Sequence, residues 1–401
     1  VKDSSLQAVK VGEHVWWVGA IDWGIRDFHG YATSRGSTYN AYLVMADKVT
    51  LIDTVKAPFR DEMLARIASV VEPTTIDYIV SNHAEMDHSG SLPETIARVK
   101  PEKVFASRMG VKALARHFHT VSGIEQVETG SELSLGNLTL RFLETRMLHW
   151  PDSMVSFLAE DKLLFSQDGF GMHLASSKRF ADECDPAVLK QEAAKYYANI
   201  LLPYSDLITK LLATVKELGL EIDVLCPDHG PIWRKGFDIL GWYAEWARQK
   251  PTMKAVVAYA TMWNSTARMA QSVADGLREG GAEAKVLPVP PAHRSDVVTE
   301  LLDAGALLVG SPTLNNGIFP SMADLLTYIK GLKPKNLVGQ AFGSYGWSGE
   351  ACRILGSMLD EIGVEKVGDP VRVNYVPAED ELRQCRSLGF EVAARMARKL
   401  A

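Results

Sequence analysis

Up to about residue 250, apolar positions gather in short runs separated by polar and glycine-containing turns. The runs Val15 to Val18, Tyr42 to Val44, Thr50 to Ile52, Ile76 to Val80, Lys103 to Ala106 and Leu138 to Phe142 predict strands, and the runs flanking Glu160-Asp161 predict a hairpin. Phe59 to Val70 and Leu189 to Ala198 are spaced as helices, so this half reads as an α/β unit of layered, mixed strands. The helical stretch Phe237 to Arg248 runs into Gln249-Lys250-Pro251-Thr252, where the proline cannot continue a helix. A domain boundary is expected there, dividing the chain into 1–250 and 251–401. Beyond it, Lys254 to Tyr259, Ala306 to Gly310 and Leu337 to Phe342 read as buried parallel strands, separated by helices such as Thr266 to Glu279 and Ser321 to Ile329. Strand and helix alternating over about 150 residues predict a doubly wound parallel sheet.

At 401 residues and 47% hydrophobic content the chain has material for two or three separate cores. A net charge of -6 and a pI near 6.0 argue against nucleic acid as the main partner. No apolar run has transmembrane length, and Val1-Lys2-Asp3-Ser4-Ser5 lacks a signal-peptide core, so no membrane partner and a cytoplasmic location are expected. The cysteines, Cys184, Cys226, Cys352 and Cys385, form no C-x-x-C pair. That excludes a zinc ribbon, a rubredoxin-type iron site or a ferredoxin-type cluster held by this chain alone. Cys226 reads as a small buried hydrophobe.

The chemistry is concentrated in His83-Ala84-Glu85-Met86-Asp87-His88, directly behind the strand run Ile76 to Val80. Alternate residues of an extended chain point the same way while a turn redirects the rest, so the first and third positions can serve one ion and the fifth and sixth another. Two metals are expected rather than one. Further candidate ligands each follow a strand: His149 in Leu148-His149-Trp150-Pro151-Asp152-Ser153, Asp168 in Ser166-Gln167-Asp168-Gly169, and His229 in Cys226-Pro227-Asp228-His229-Gly230. Strand ends of one sheet gather loops into a common crevice. The set suits iron or zinc, and ligand softness alone does not decide between them. His14, His29, His117, His119, His173 and His293 match no position of this pattern and read as surface or hydrogen-bonded residues.

His-x-Glu-x-Asp-His followed by a lone His, a lone Asp and a later His resembles the metallo-β-lactamase fold, in the version used by the flavodiiron proteins. The resemblance implies an αββα sandwich in which His83, Glu85 and His149 bind one iron, Asp87, His88 and His229 bind the other, and Asp168 bridges them. Some relatives replace the bond from the position of His88 with water. Hydrolases of the superfamily usually carry His where Glu85 stands, and bind zinc. Three carboxylates against two ferrous ions leave one positive charge, which a bridging hydroxide neutralises, lowering the cost of burial.

In the second half the turn Thr261-Met262-Trp263-Asn264-Ser265-Thr266 follows a strand and leads into a helix, where backbone N–H groups and hydroxyls can hold a phosphate. No Gly-x-Gly-x-x-Gly stands there, which favours a mononucleotide over a dinucleotide. Ser311-Pro312-Thr313-Leu314-Asn315-Asn316-Gly317 and Ser344-Tyr345-Gly346-Trp347-Ser348-Gly349 each follow a further strand. The three loops are similar to the flavodoxin pattern for FMN, the first for the phosphate and the other two for the isoalloxazine, with Tyr345 and Trp347 as ring contacts.

Together the two patterns run in the order of a flavodiiron protein: a metallo-β-lactamase-like αββα domain, then a flavodoxin-like doubly wound sheet. The implied activity is reduction of dioxygen to water, nitric oxide to nitrous oxide, or both. Fully reduced FMN and two ferrous ions hold the four electrons that dioxygen needs. The resemblance further implies an external donor, such as a rubredoxin or a reduced deazaflavin, because the chain ends at Ala401 without a module of that kind, and a head-to-tail homodimer or dimer of dimers. Tyr196 and Tyr197 resemble a family tyrosine pair near the iron pocket; either hydroxyl could assist proton transfer, with Tyr197 as the catalytic candidate, and both fit equally as core aromatics with one wet end. Two other readings stay open: a flavin electron carrier with an inactive metallohydrolase-like domain, and a zinc hydrolase of the same superfamily.

Overall fold

The computed structural model describes residues 6–234, 236 and 238–401. Val1 to Ser5, the segment without a signal-peptide core, and Phe237, the first residue of one expected helix, lie outside the described residues. The chain forms two compact units. The first runs to Phe28 and takes in Thr33–Tyr196 and Asp206–Ala244; the second comprises His29–Ala32, Tyr197–Ser205 and Glu245–Ala401. The units part between Ala244 and Glu245, inside the helix Asp238–Ala247, a few residues before Pro251.

Two mixed sheets build the first unit. One has seven strands in the order Val9–Lys10, Val15–Trp17, Tyr42–Val44, Thr50–Ile52, Tyr78–Ser81, Lys103–Ser107 and Ile124–Val127, antiparallel up to Thr50–Ile52 and parallel from there on. The other has six: Glu132–Ser134, Thr139–Glu144, Met154–Leu158, Leu163–Gln167, Val224–Pro227 and Trp233–Arg234. Alternation of side chains along each strand gives one apolar layer drawn from both sheets, with Trp17, Tyr42, Ile52, Val80 and Phe105 from the first and Phe142, Leu158, Phe165 and Cys226 from the second. A second core lies on the other face of the seven-stranded sheet, where Leu43, Leu51 and Ile79 meet Met63 and Ile67 of the helix Arg60–Ala68, Leu92 and Val99 of Leu92–Val99, and Leu114 of Arg108–His117. Sheet on sheet with helices outside is the αββα arrangement expected.

Several local boundaries move. The expected strand Ile76 to Val80 is Tyr78–Ser81, because the Asp77 N–H and carboxylate bond Val49 and Lys48 while its carbonyl accepts from Glu102 and Lys103. The expected helix Leu189 to Ala198 begins at Pro186 and ends at Tyr196, where it gives way to the π-turn Tyr197–Leu201. Among the described residues no helix is long and apolar enough to cross a membrane.

The second unit is a parallel sheet in the order Glu283–Pro288, Lys254–Tyr259, Ala306–Gly310 and Val338–Tyr345, with Glu365–Lys366 and Val371–Asn374 both pairing along the last of these. Strand order 2-1-3-4-5 is flavodoxin-like, and it leaves a crevice at the carboxyl ends where the order reverses. Helices Ser265–Glu279 and Glu379–Leu400 cross the same face in close contact. Gly276 and Gly389 allow it: a Cβ on Gly276 would collide with the Arg386 carbonyl oxygen, and one on Gly389 with the Val273 carbonyl oxygen.

Candidate functional site

Parallel pairing of Leu163–Gln167 with Val224–Pro227 brings Asp168 and His229 out side by side, and Tyr78–Ser81 delivers the loop His83 to His88 from the facing sheet. His149 enters from the turn between Thr139–Glu144 and Met154–Leu158. These loops converge in two groups: His83, Glu85, His149 and Asp168 each place a ligand atom within 4.8 Å of the others, and so do Asp87, His88 and His229. All seven residues named from the sequence as ligands are therefore together.

Asp168 faces both groups. Its Oδ2 lies 3.0 Å from His149 Nε2 and 3.3 Å from His83 Nε2, whereas its Oδ1 lies 3.1 Å from His88 Nε2 and 3.4 Å from His229 Nε2. Glu85 Oε2 is 3.3 Å from His83 Nε2 and 3.2 Å from His149 Nε2. Asp87 meets His88 Nε2 at 3.3 Å and His229 Nε2 at 3.2 Å through separate oxygens. All four imidazoles thus turn Nε2 inward.

The set fits a pair of metal ions on its own geometry. Both oxygens of Asp87, both ring nitrogens of His88 and Oδ1 of Asp168 are buried without a hydrogen-bond partner, although opposite charges stand only a little over 3 Å apart. Buried polar atoms are almost always hydrogen-bonded; atoms that converge without bonding one another are directed at a common centre. Burial disfavours charge on each group, yet the cluster overrides it. Asp87 and Asp168 lift His88 to about 9, and Asp168 and Glu85 lift His149 to about 9. Burial likewise works against Asp168, but His88, His149 and His83 hold it well below the usual carboxylate range.

Around the ligands stand residues that the sequence reading did not assign. Asp152 Oδ2 is 2.9 Å from His83 Nδ1. Asp228 Oδ2 is 3.5 Å from His88 Nδ1, and burial pushes its carboxyl well above the usual range. His229 Nδ1 is 2.6 Å from the Thr38 carbonyl. His173, one of the histidines read as surface or hydrogen-bonded, is fully buried: it hydrogen-bonds Ser37 Oγ through Nδ1 at 2.8 Å, and its ring lies 4.6 Å from that of His229. Its sequence carried no signal, since only the fold brings residues 37, 173 and 229 together.

The tyrosine pair divides. Tyr197 Oη bonds Ser205 Oγ at 3.1 Å and its ring packs on Trp246 at 5.5 Å, so it is held within the second unit. Tyr196 belongs to the first unit, with its ring 5.2 Å from His173 and 6.1 Å from His229. Of the two rings, that of Tyr196 is the one beside the candidate ligand His229.

In the second unit a cleft of about 490 Å³ opens at the carboxyl ends of the strands. Met262, Trp263, Ser265, Pro312, Thr313, Asn315, Asn316 and Ser344 through Ser348 line it, all named from the sequence, together with Tyr375 and Val376, which were not. Thr261, Asn264, Thr266, Gly317 and Gly349 lie in the same loops without lining the cleft. Thr266 Oγ1 bonds Ser344 Oγ at 3.0 Å and so ties the first loop to the third. A planar aromatic ligand with a phosphate fits here. Trp263 and Trp347 are 89% and 88% exposed, which is costly apolar area unless something stacks on it. Thr261 Oγ1 is buried without a partner next to the first turn of Ser265–Glu279, whose N–H groups are open to an anion.

The model for the ODP family beta lactamases matches residues 38–230, and the flavodoxin model matches residues 257–389. Fold and site thus define a class of protein, a metallo-β-lactamase-type sandwich with a two-metal ligand set joined in one chain to a flavodoxin-type sheet. The rubredoxin-oxygen oxidoreductase of Megalodesulfovibrio gigas is 46% identical over 99% of this chain and 100% of its own, and the nitric oxide reductase of Moorella thermoacetica is 45% identical over 98% and 99%. The crystal structure of the flavodiiron protein from Giardia intestinalis superposes with a TM-score of 0.93 at 34% identity, covering 98% of each chain. The chain belongs to the flavodiiron protein family.

Proposed function

We propose that this chain is an oxidoreductase that reduces dioxygen to water, nitric oxide to nitrous oxide, or both, at a di-iron site, with electrons relayed through FMN from an external donor. The observation that carries the reading is the conjunction, in one chain, of a ligand cluster facing a shared Asp168 from two sides and a flavin-sized cleft with exposed tryptophans. Similarity to an oxygen oxidoreductase and a nitric oxide reductase over nearly the whole length supports the reaction class. Two ferrous ions and reduced FMN, when bound, supply the electrons that the substrate takes up.

The chain's own groups do the rest. His83, Glu85 and His149 would hold one ion and Asp87, His88 and His229 the other, with Asp168 facing both groups. Glu85 stands where a zinc hydrolase has histidine, which speaks for iron. Tyr196, buried and kept protonated by burial and by Asp168, offers a phenolic hydrogen rather than an anion beside the pocket. Residues 1–250 form the metal domain and 251–401 the FMN domain, in a cytoplasmic head-to-tail homodimer or dimer of dimers that takes electrons from a rubredoxin-type carrier or a reduced deazaflavin.

Anaerobic purification followed by metal and flavin analysis tests the core of this reading. Two irons and one FMN per chain, with consumption of dioxygen or nitric oxide by the reduced protein, are expected. Zinc without flavin, together with hydrolytic activity, would overturn it.

A further inference from the structure

Asp152 is buried and stands three residues after His149 on the same turn. Its Oδ2 accepts two hydrogen bonds from the neighbouring ligand loop, one from the Ala84 backbone N–H at 2.6 Å and one from His83 Nδ1 at 2.9 Å. Its backbone carbonyl accepts from Ser107 Oγ at 2.7 Å, and that hydroxyl in turn accepts from Gly110 N at the start of Arg108–His117. One residue therefore fastens the loop bearing His83 and Glu85 to the turn bearing His149, and both to the end of the strand Lys103–Ser107. A carboxylate on Nδ1 also selects the tautomer that leaves Nε2 free for a metal, and makes that nitrogen a better donor.

The other half of the cluster has no carboxylate hydrogen-bonded behind a ligand imidazole. His229 Nδ1 leans on a neutral backbone carbonyl, that of Thr38. His88 Nδ1 makes no hydrogen bond, and Asp228 Oδ2 stays 3.5 Å away. Excluding the shared Asp168, each half has three ligands, but only the His83 half has a buried carboxylate that hydrogen-bonds a ligand imidazole and ties two ligand-bearing loops together. Ligands ordered in advance lose less conformational entropy on binding.

We propose that Asp152 is a positioning residue for one half-site only, locking His83 to the His149 turn so that the His83, Glu85 and His149 half-site fills first as the metal-free chain takes up metal. The inference rests on the ligand assignment made above. Its test is titration of the metal-stripped, full-length protein with cobalt(II), a spectroscopic stand-in for ferrous iron, followed by visible absorption and calorimetry. The wild-type chain is expected to bind two ions in two separate steps. In Asp152→Asn, which keeps an acceptor for Ala84 but removes the charge, the tight step weakens about 10–100-fold and the absorption of the first-bound ion changes, while the weak step stays. Glu85→Gln should abolish the tight step and Asp87→Asn the weak one, an order that can be read even if Asp152→Asn does not fold. Equal weakening of both steps in Asp152→Asn, or loss of the tight step in Asp87→Asn, would overturn the proposal while leaving the two-metal reading intact. A wild-type chain that takes up no cobalt would remove both.

Discussion

Metal uptake by the apo-protein should be governed by protons in a way that ordinary histidine ligands are not. In the metal-free cluster, carboxylates hold His88 and His149 at about 9, against about 6.5 for a free imidazole. Each must lose its proton to bind through Nε2. At pH 7 only about one in a hundred is deprotonated, compared with roughly three in four for an unshifted histidine. Proton competition therefore weakens each half-site at least about 100-fold at pH 7, or about 3 kcal/mol. It weakens further the half-site where His83, also held above its usual value by Asp152, Asp168 and Glu85, must lose a second proton. Apparent affinity should rise at least about tenfold per pH unit up to about 9. Asp87 and Asp168 are held low and stay ionised throughout this window. Calorimetric titration with zinc or cobalt in two buffers of different ionisation enthalpy counts the protons directly, and at least one should be released per ion at pH 7. Affinity that is flat from pH 7 to 8.5, with no proton release, would refute the argument. The same shifts fix the sign of apo-protein stability. Groups with raised pKa stabilise the fold fully below their unfolded value, and that contribution is lost as pH rises toward 9. Metal-free protein should thus melt at lower temperature at pH 9 than at pH 6.5, whereas in the loaded protein these imidazoles no longer titrate.

Tyr196→Phe should slow reduction of dioxygen or nitric oxide in stopped-flow assays with metal content unchanged, whereas Tyr197→Phe should leave turnover alone and cost about 1 kcal/mol of stability through the lost Ser205 bond. Trp347→Ala should weaken FMN binding at least about tenfold, measured by fluorescence of released flavin, without altering the metal content of the first unit. Gly276→Ala drives a methyl group into the Arg386 carbonyl where two helices touch, and should destabilise the flavodoxin-like unit by about 1–3 kcal/mol in denaturant melts.

The candidate ligands were legible as residues that follow apolar strands, which local pattern marks, while their grouping into two metal sites came from the resemblance to the flavodiiron pattern. Once Tyr78–Ser81, Leu163–Gln167 and Val224–Pro227 are recognised, the residues just past their ends are the candidates, as are the three strand-end loops of the second unit. The sequence does not distinguish the surroundings of neighbours. Tyr196 and Tyr197 are both buried, so no polarity difference separates them, and successive residues of a helix point about 100° apart. Only the packing of Pro186–Tyr196 and the π-turn after it shows which ring meets His173.

Local pattern by itself determined the elements, their order in two α/β units, and the donor atoms presented at their ends, because periodicity and strand-end position are properties of short stretches of chain. Tertiary structure alone decided which atoms stand behind those donors. Asp152 behind His83, Thr38 behind His229, Asp228 near His88, and Tyr375 with Val376 beside the flavin-type cleft are contacts between residues far apart in the chain. Such contacts arise from how sheets stack and loops converge, and no spacing rule encodes them. The candidate ligands are written in the sequence; the carboxylate that backs only His83 exists only in the fold.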